Sequence, residues 1–132
     1  MEQIALVAPE AAETLSVPQV VELEQRIAAG GTSLATLMDR AGQAIAQAVV
    51  ERFTAAGRAT VLAGAGNNGG DGWVAAERLC ARGWQVTLVS PKAAANISAH
   101  PAHEAAVRAA TRAGDALTVA VDPRASALKE AL

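Results

Sequence analysis

The sequence predicts an α/β fold built on a small parallel sheet, and three observations carry that expectation. Short apolar or β-branched segments at residues 59–63, 85–89 and 117–121 alternate with longer stretches of helical periodicity, the pattern of βαβ units. Between the first of these strands and the next helix lies Gly64-Ala65-Gly66-Asn67-Asn68-Gly69-Gly70-Asp71-Gly72, five of whose nine residues are glycine. A glycine-rich passage from strand to helix is where α/β proteins bind anions and nucleotides. Composition agrees: the 132 residues are 52% hydrophobic but only 2% aromatic, and alanine supplies much of the apolar content. Alanine-faced helices lying close on a small sheet fit this better than an all-β architecture.

Length allows one domain at most, and is short for a complete doubly wound sheet with a separate catalytic half. Residues 1–14 read as an N-terminal tail and residues 15–132 as one partial domain. The formal net charge is -2, from 11 Lys+Arg against 13 Asp+Glu, with no basic block, which disfavours nucleic acid and anionic membranes as partners. Cys80 is the only cysteine, so no disulfide framework forms and a reducing cytoplasm is the simplest location. With no histidine or cationic pair beside it in sequence, Cys80 is expected to be a buried, inert thiol. The run Ile4 to Ala8 is broken by Pro9 and Glu10 and lacks a basic flank, so it is neither a membrane span nor a signal.

Ser16 and Gln19 form a possible capping box for a first helix, about Val17 to Ala29, along which Val20, Leu23 and Ile27 recur until Gly30-Gly31. Thr32 or Ser33 then caps a longer helix, whose apolar face runs through Leu34, Leu37, Met38, Ala41, Ile45, Ala48 and Val49 to about Phe53. Ala59 to Ala63 is the first strand, apolar on both faces as a buried parallel strand should be. After the glycine run, a helix from Asp71 or Gly72 ends at Gly83, and Gln85 to Val89 closes a right-handed βαβ unit. A third helix spans about Pro101 to Arg112 and ends at Gly114, Leu117 to Val121 is the third strand, and Asp122-Pro123 leads into a short helical tail, Ala125 to Leu132.

Within the glycine run, Gly64, Gly66 and Gly69 satisfy the dinucleotide pattern G-x-G-x-x-G, which is weak evidence by itself. The usual acid for a ribose 2′-hydroxyl is missing, because the second strand ends Val89-Ser90-Pro91-Lys92; a lysine there either meets a 2′-phosphate or is a solvated surface residue. A P-loop fits worse still, because no Gly-Lys-Ser/Thr closes the run and the loop carries a carboxylate, Asp71. Asp71 either supports a helix N-terminus, worth about 0.3–1 kcal/mol, or holds a ligand hydroxyl or amine while the N–H groups of Asn68 to Gly70 hold its phosphate. Turn chemistry accounts for either of Asn67 and Asn68 alone; two adjacent amides exceed what a turn needs, and an amide oxygen also suits a hard cation, which would offset repulsion between Asp71 and a phosphate. His100, His103 and Glu104 have a spacing that metal sites use, but Pro101 at the helix start makes His100 a pre-helix residue.

Gly66-Asn67-Asn68-Gly69-Gly70-Asp71-Gly72, followed by Val74-Ala75-Ala76 and Leu79, resembles the signature of the YjeF N-terminal domain family, the NAD(P)H-hydrate epimerases. Leu15-Ser16 to Ile27 is similar to the family's first helix, and Leu37-Met38-Asp39-Arg40-Ala41-Gly42 to its Leu-Met-x-x-Ala-Gly segment. The resemblance covers about Leu15 to Val89. It implies a Rossmann-like three-layer α/β/α sandwich, often homodimeric, that acts as an isomerase in metabolite repair by interconverting the R and S forms of NADHX and NADPHX. It further implies that Asn67, Asn68, Gly69, Gly70 and Asp71 contact the damaged dinucleotide, that Asn68 ligates a potassium ion, and that a dehydratase, fused or separate, takes the product. The family's later Asp-Ala-Leu-x-Gly-Thr-Gly and Asp-x-Pro-Ser-Gly segments do not occur in this chain. Half the cation site and no assignable catalytic carboxylate are therefore expected, with weak or no turnover by these residues alone. The competing reading is a non-catalytic nucleotide-binding or dimerisation module.

Overall fold

The computed structural model describes residues 33–123, together with Pro18, Glu22 and Arg26, each of which is helical. The remainder of the expected first helix, and the helical tail from Ala125, lie outside the described residues. In order, the elements are α1 (Leu34–Arg52), β1 (Arg58–Leu62), α2 (Asn67–Ala81), β2 (Gln85–Ser90), α3 (Ala102–Ala113) and β3 (Leu117–Val121). The strands form one parallel sheet in the order β1-β2-β3. Its register sets Val61 beside Leu88 and Leu88 beside Val119.

Ser33 begins α1 as its N-cap, its hydroxyl accepting the N–H of Thr36 at 3.1 Å, so one of the orphan donors of the helix is answered locally. The buried stripe of α1 is Met38, Gly42, Ala46 and Val49, rotated from the apolar line read in the sequence; Ala48 is exposed, and Leu34, Leu37 and Ile45 are only partly covered. Gly42 causes the rotation. A Cβ there would fall under 3.0 Å from the Val74 side chain of α2, so its absence lets the two helices meet along this line.

At its other end α2 stops as the sequence suggests. Gly83 takes φ 89°, the Gly83 N–H donates to the Cys80 carbonyl at 3.1 Å and the Trp84 N–H to the Leu79 carbonyl at 3.0 Å, which is a Schellman closure. Cys80 is buried, and loss of hydration pushes its thiol pKa up, as expected for an inert thiol.

A parallel sheet with right-handed crossovers places α2 and α3 on one face. Val61, Val86, Leu88, Leu117 and Val119 turn toward them and join a core centred on Trp73, which is fully buried. Burying each of Trp73, Leu79 and Leu88 contributes roughly 1.5–3 kcal/mol. The indole N–H of Trp73 has no acceptor among the described residues, which subtracts about 1–3 kcal/mol from that gain. On the opposite face Thr60, Thr87 and Thr118 align in register, and Leu62 is 48% exposed. Toward the C-terminal ends of α2 and α3, ion pairs tie the helices together: Arg78 to Asp39 at 3.3 Å, Arg108 to Glu77 at 3.3 Å and Arg112 to Glu77 at 3.4 Å. Such partly exposed pairs are each worth about 0.2–1 kcal/mol.

Candidate functional site

The chain leaves β1 at Leu62, passes through Ala63 to Gly66 and turns into α2 at Asn67. The helix therefore begins a full turn before the expected start at Asp71 or Gly72, and Asn67 to Gly70 form its first turn. Glycine costs about 1 kcal/mol relative to alanine in a helix, which is why the sequence reads as loop here; close packing overrides that propensity. A Cβ on Gly69 would fall under 3.0 Å from the Gly64 backbone, and one on Gly70 would meet the end of the Met38 side chain just as closely. Both residues are buried.

Gly64 and Gly66 differ. Nothing lies within 4 Å of where their Cβ atoms would stand. Gly66 is the N-cap of α2, with φ -87° and ψ -173°, an extended conformation open to any residue. Neither packing nor backbone conformation asks for glycine at Gly66. A bare backbone at this place leaves room for a ligand to approach, the role the second glycine has in the dinucleotide pattern, while the third provides close packing.

The earlier start also moves the free donors. In an α-helix the first N–H groups have no intrahelical acceptor, and here they belong to Gly66, Asn67 and Asn68. The Gly69 N–H bends back to the Gly66 carbonyl at 3.0 Å, so the expected donor set Asn68 to Gly70 is shifted toward the strand. Its N-cap residue, Gly66, has no side chain with which to cap this terminus. Three N–H groups at the positive end of a helix dipole suit an anion such as a pyrophosphate. Asp71, expected at the helix N-terminus, is half-buried and lies beyond the first turn, where the dipole contributes little.

Asn67 and Asn68, read in the sequence as a pair, are separated by the fold. The Asn67 Oδ1 accepts the N–H of Ala102 at 3.1 Å and so caps α3 from 35 residues away, supplying what its N-cap residue Pro101 does not. Asn68 is exposed. No sequence signal announces the Asn67 contact, because the capped helix is remote along the chain. The same contact brings the start of α3 against the glycine run. There His103 Nδ1 lies 2.9 Å from the Ile97 carbonyl and His100 Nδ1 lies 2.5 Å from Glu104 Oε1. Its hydrogen bond with His100 holds the Glu104 carboxyl below its ordinary pKa. The two imidazoles are thus engaged separately, and among the described residues no group of three or more His, Cys, Asp or Glu converges as metal ligands.

On the other side of the loop is the end of β2. The Ala63 N–H donates to the Val89 carbonyl at 2.9 Å, which sets Ser90-Pro91-Lys92 beside Gly64. Ser90 is fully buried; its hydroxyl donates to the Lys92 carbonyl at 2.7 Å and lies 3.3 Å from the Lys92 N–H.

Residues 34–128 match the family described as YjeF-related protein N-terminus. The chain is 46% identical over 69 residues to an NAD(P)H-hydrate epimerase of Rhodobacter capsulatus, a match covering 47% of this chain and 32% of that protein. It is 43% identical over 75 residues to an NAD(P)H-hydrate epimerase of Cenarchaeum symbiosum, covering 57% and 35% respectively. Against a bifunctional NAD(P)H-hydrate repair enzyme Nnr of Thermanaerovibrio acidaminovorans it is 48% identical over 54 residues, covering 41% of this chain and 10% of that protein. The matches therefore span about a third or less of the curated relatives' length. Among solved structures, yeast ynu0 (YNL200c) superposes with a TM-score of 0.66 at 24% identity, covering 89% of this chain and 51% of that one; that likeness concerns the fold.

Proposed function

The chain belongs to the family of YjeF-related protein N-termini, and from that premise we propose that it carries the dinucleotide-recognition part of an NAD(P)H-hydrate epimerase. In this reading the free N–H groups of Gly66, Asn67 and Asn68 receive the pyrophosphate of NADHX or NADPHX, and Asp71 holds a hydroxyl or amine of the same ligand. Gly69 and Gly70 contribute by shaping the turn. The observation that carries the reading is the open space over Gly64 and Gly66, at a helix start whose N-cap residue is a glycine. Each charge-assisted hydrogen bond to the ligand is worth about 1.5–3 kcal/mol.

The ligand's reaction is the interconversion of the R and S forms at the hydrated nicotinamide carbon, and the described residues are assigned to binding and orientation. Asn68 would offer an amide oxygen to a potassium ion. That is one donor, short of the several oxygens a hard cation gathers, and recognition as proposed does not depend on the ion. A homodimer, a fused or separate dehydratase and a cytoplasmic location complete the proposal, with residues 15–132 as one domain after a tail of residues 1–14. No helix among the described residues is long and apolar enough to cross a membrane.

Titration calorimetry with ADP-ribose tests recognition. Saturable binding that weakens in Asp71→Ala is the expected result, and an absence of heat at millimolar ligand would sink the reading. Chromatographic separation of R and S NADHX after incubation with the chain tests chemistry, for which slow or no conversion is expected.

A further inference from the structure

In a nucleotide site built on the first strand-to-helix turn, the end of the second strand meets the adenosine ribose, and a carboxylate there binds the 2′-hydroxyl. This chain has closed that option. The residue at the position is Ser90, whose side chain is wholly buried and whose single hydroxyl hydrogen is committed to the Lys92 carbonyl at 2.7 Å. It has no donor to give a ribose and no negative charge. The nearest acid along the sheet edge, Asp122, is reached through its N–H bond to the Ser90 carbonyl at 2.8 Å. That contact puts it beyond β2, one strand spacing further from the glycine loop.

What β2 presents at the mouth instead is Lys92. Its side chain is exposed, while its backbone is held by the Ser90 hydroxyl on both N–H and carbonyl. The bond from Ala63 N–H to Val89 carbonyl at 2.9 Å holds the end of β2, where this short turn begins, against the start of the glycine run. A lysine stem reaches several ångströms from a fixed base, and its ammonium is a point charge that favours a dianionic phosphate over a neutral diol.

We infer that Lys92 selects 2′-phosphorylated dinucleotides, making the site prefer the NADPHX class over the NADHX class; this rests on the nucleotide reading of the glycine turn. Calorimetry with 2′-phospho-ADP-ribose and ADP-ribose as probes decides it. The wild type is expected to bind the phosphorylated probe about tenfold more tightly, the scale of one charge-assisted contact. Lys92→Ala brings the two affinities together while leaving that for ADP-ribose unchanged, Lys92→Glu reverses the order, and Lys92→Arg keeps the preference. Equal affinities in the wild type, or equal weakening of both probes by Lys92→Ala, overturns the assignment and leaves the nucleotide site standing. If neither probe binds the wild type, the nucleotide reading itself falls and this assignment with it.

Discussion

Gly64 and Gly66 have open space where a side chain would begin, whereas Gly69, three residues after Gly66, has no room for one because the Gly64 backbone is already there. The two halves of one glycine run thus owe their composition to different forces. The inner half, Gly69 and Gly70, is fixed by van der Waals exclusion inside the protein, and the outer half is left bare toward the solvent. Glycine content alone therefore does not mark a binding site; the candidates are the glycines that the protein's own packing leaves unexplained.

The largest effect is expected from Gly69→Ala. The new methyl would collide with backbone rather than with a yielding side chain, so β1 and α2 must separate at the cost of on the order of 3 kcal/mol. A thermal melt should show a large drop in midpoint, and an unchanged midpoint would break the comparison at its packed end. Gly42→Ala belongs to the same class but acts between α1 and α2, where the obstacle is the Val74 side chain. About 1–3 kcal/mol is expected, readable as a lower urea midpoint with an unchanged slope.

Gly66→Ser probes the bare end. Serine is among the best N-cap residues, and the extended backbone of Gly66 suits it, so stability should hold or rise by a few tenths of a kcal/mol. Ligand affinity should nevertheless fall by about tenfold or more, because the side chain occupies the approach to the free N–H groups. Undiminished ADP-ribose binding by this variant would show that the ligand does not use that face. The smallest change is expected for Asn67→Ala, which removes the cap on Ala102 and should cost about 1 kcal/mol. Rapid amide exchange at Ala102 in the variant would mark the loss, and unchanged protection would assign Asn67 to the ligand instead.

Most of the fold was legible because it follows local rules. Ser33 as cap, Gly83 and Gly114 as terminators and the β-branched segment Leu117 to Val121 each depend on the residues beside them in sequence. Asn67 to Gly70 read as loop because glycine is a poor helix former, and they are helical because Gly64 and Met38 press against them. The buried stripe of α1 was misplaced for a related reason: periodicity ranks side chains by hydrophobicity, while Gly42 sets the contact line by having no side chain. In the site, the glycine-asparagine motif located the turn, but the split between Asn67 and Asn68 depends on where α3 lies.

By itself the sequence determined the element order, the parallel βαβ pattern, the place of the glycine turn and the family, all of which rest on periodicity, local turn chemistry and a contiguous motif. The tertiary structure alone decided which glycines are packed and which are bare, that Asn67 serves α3, and that Ser90 is buried with its hydroxyl on Lys92. These depend on distances between atoms remote in the chain, fixed only when α2 settles between α1, α3 and the sheet.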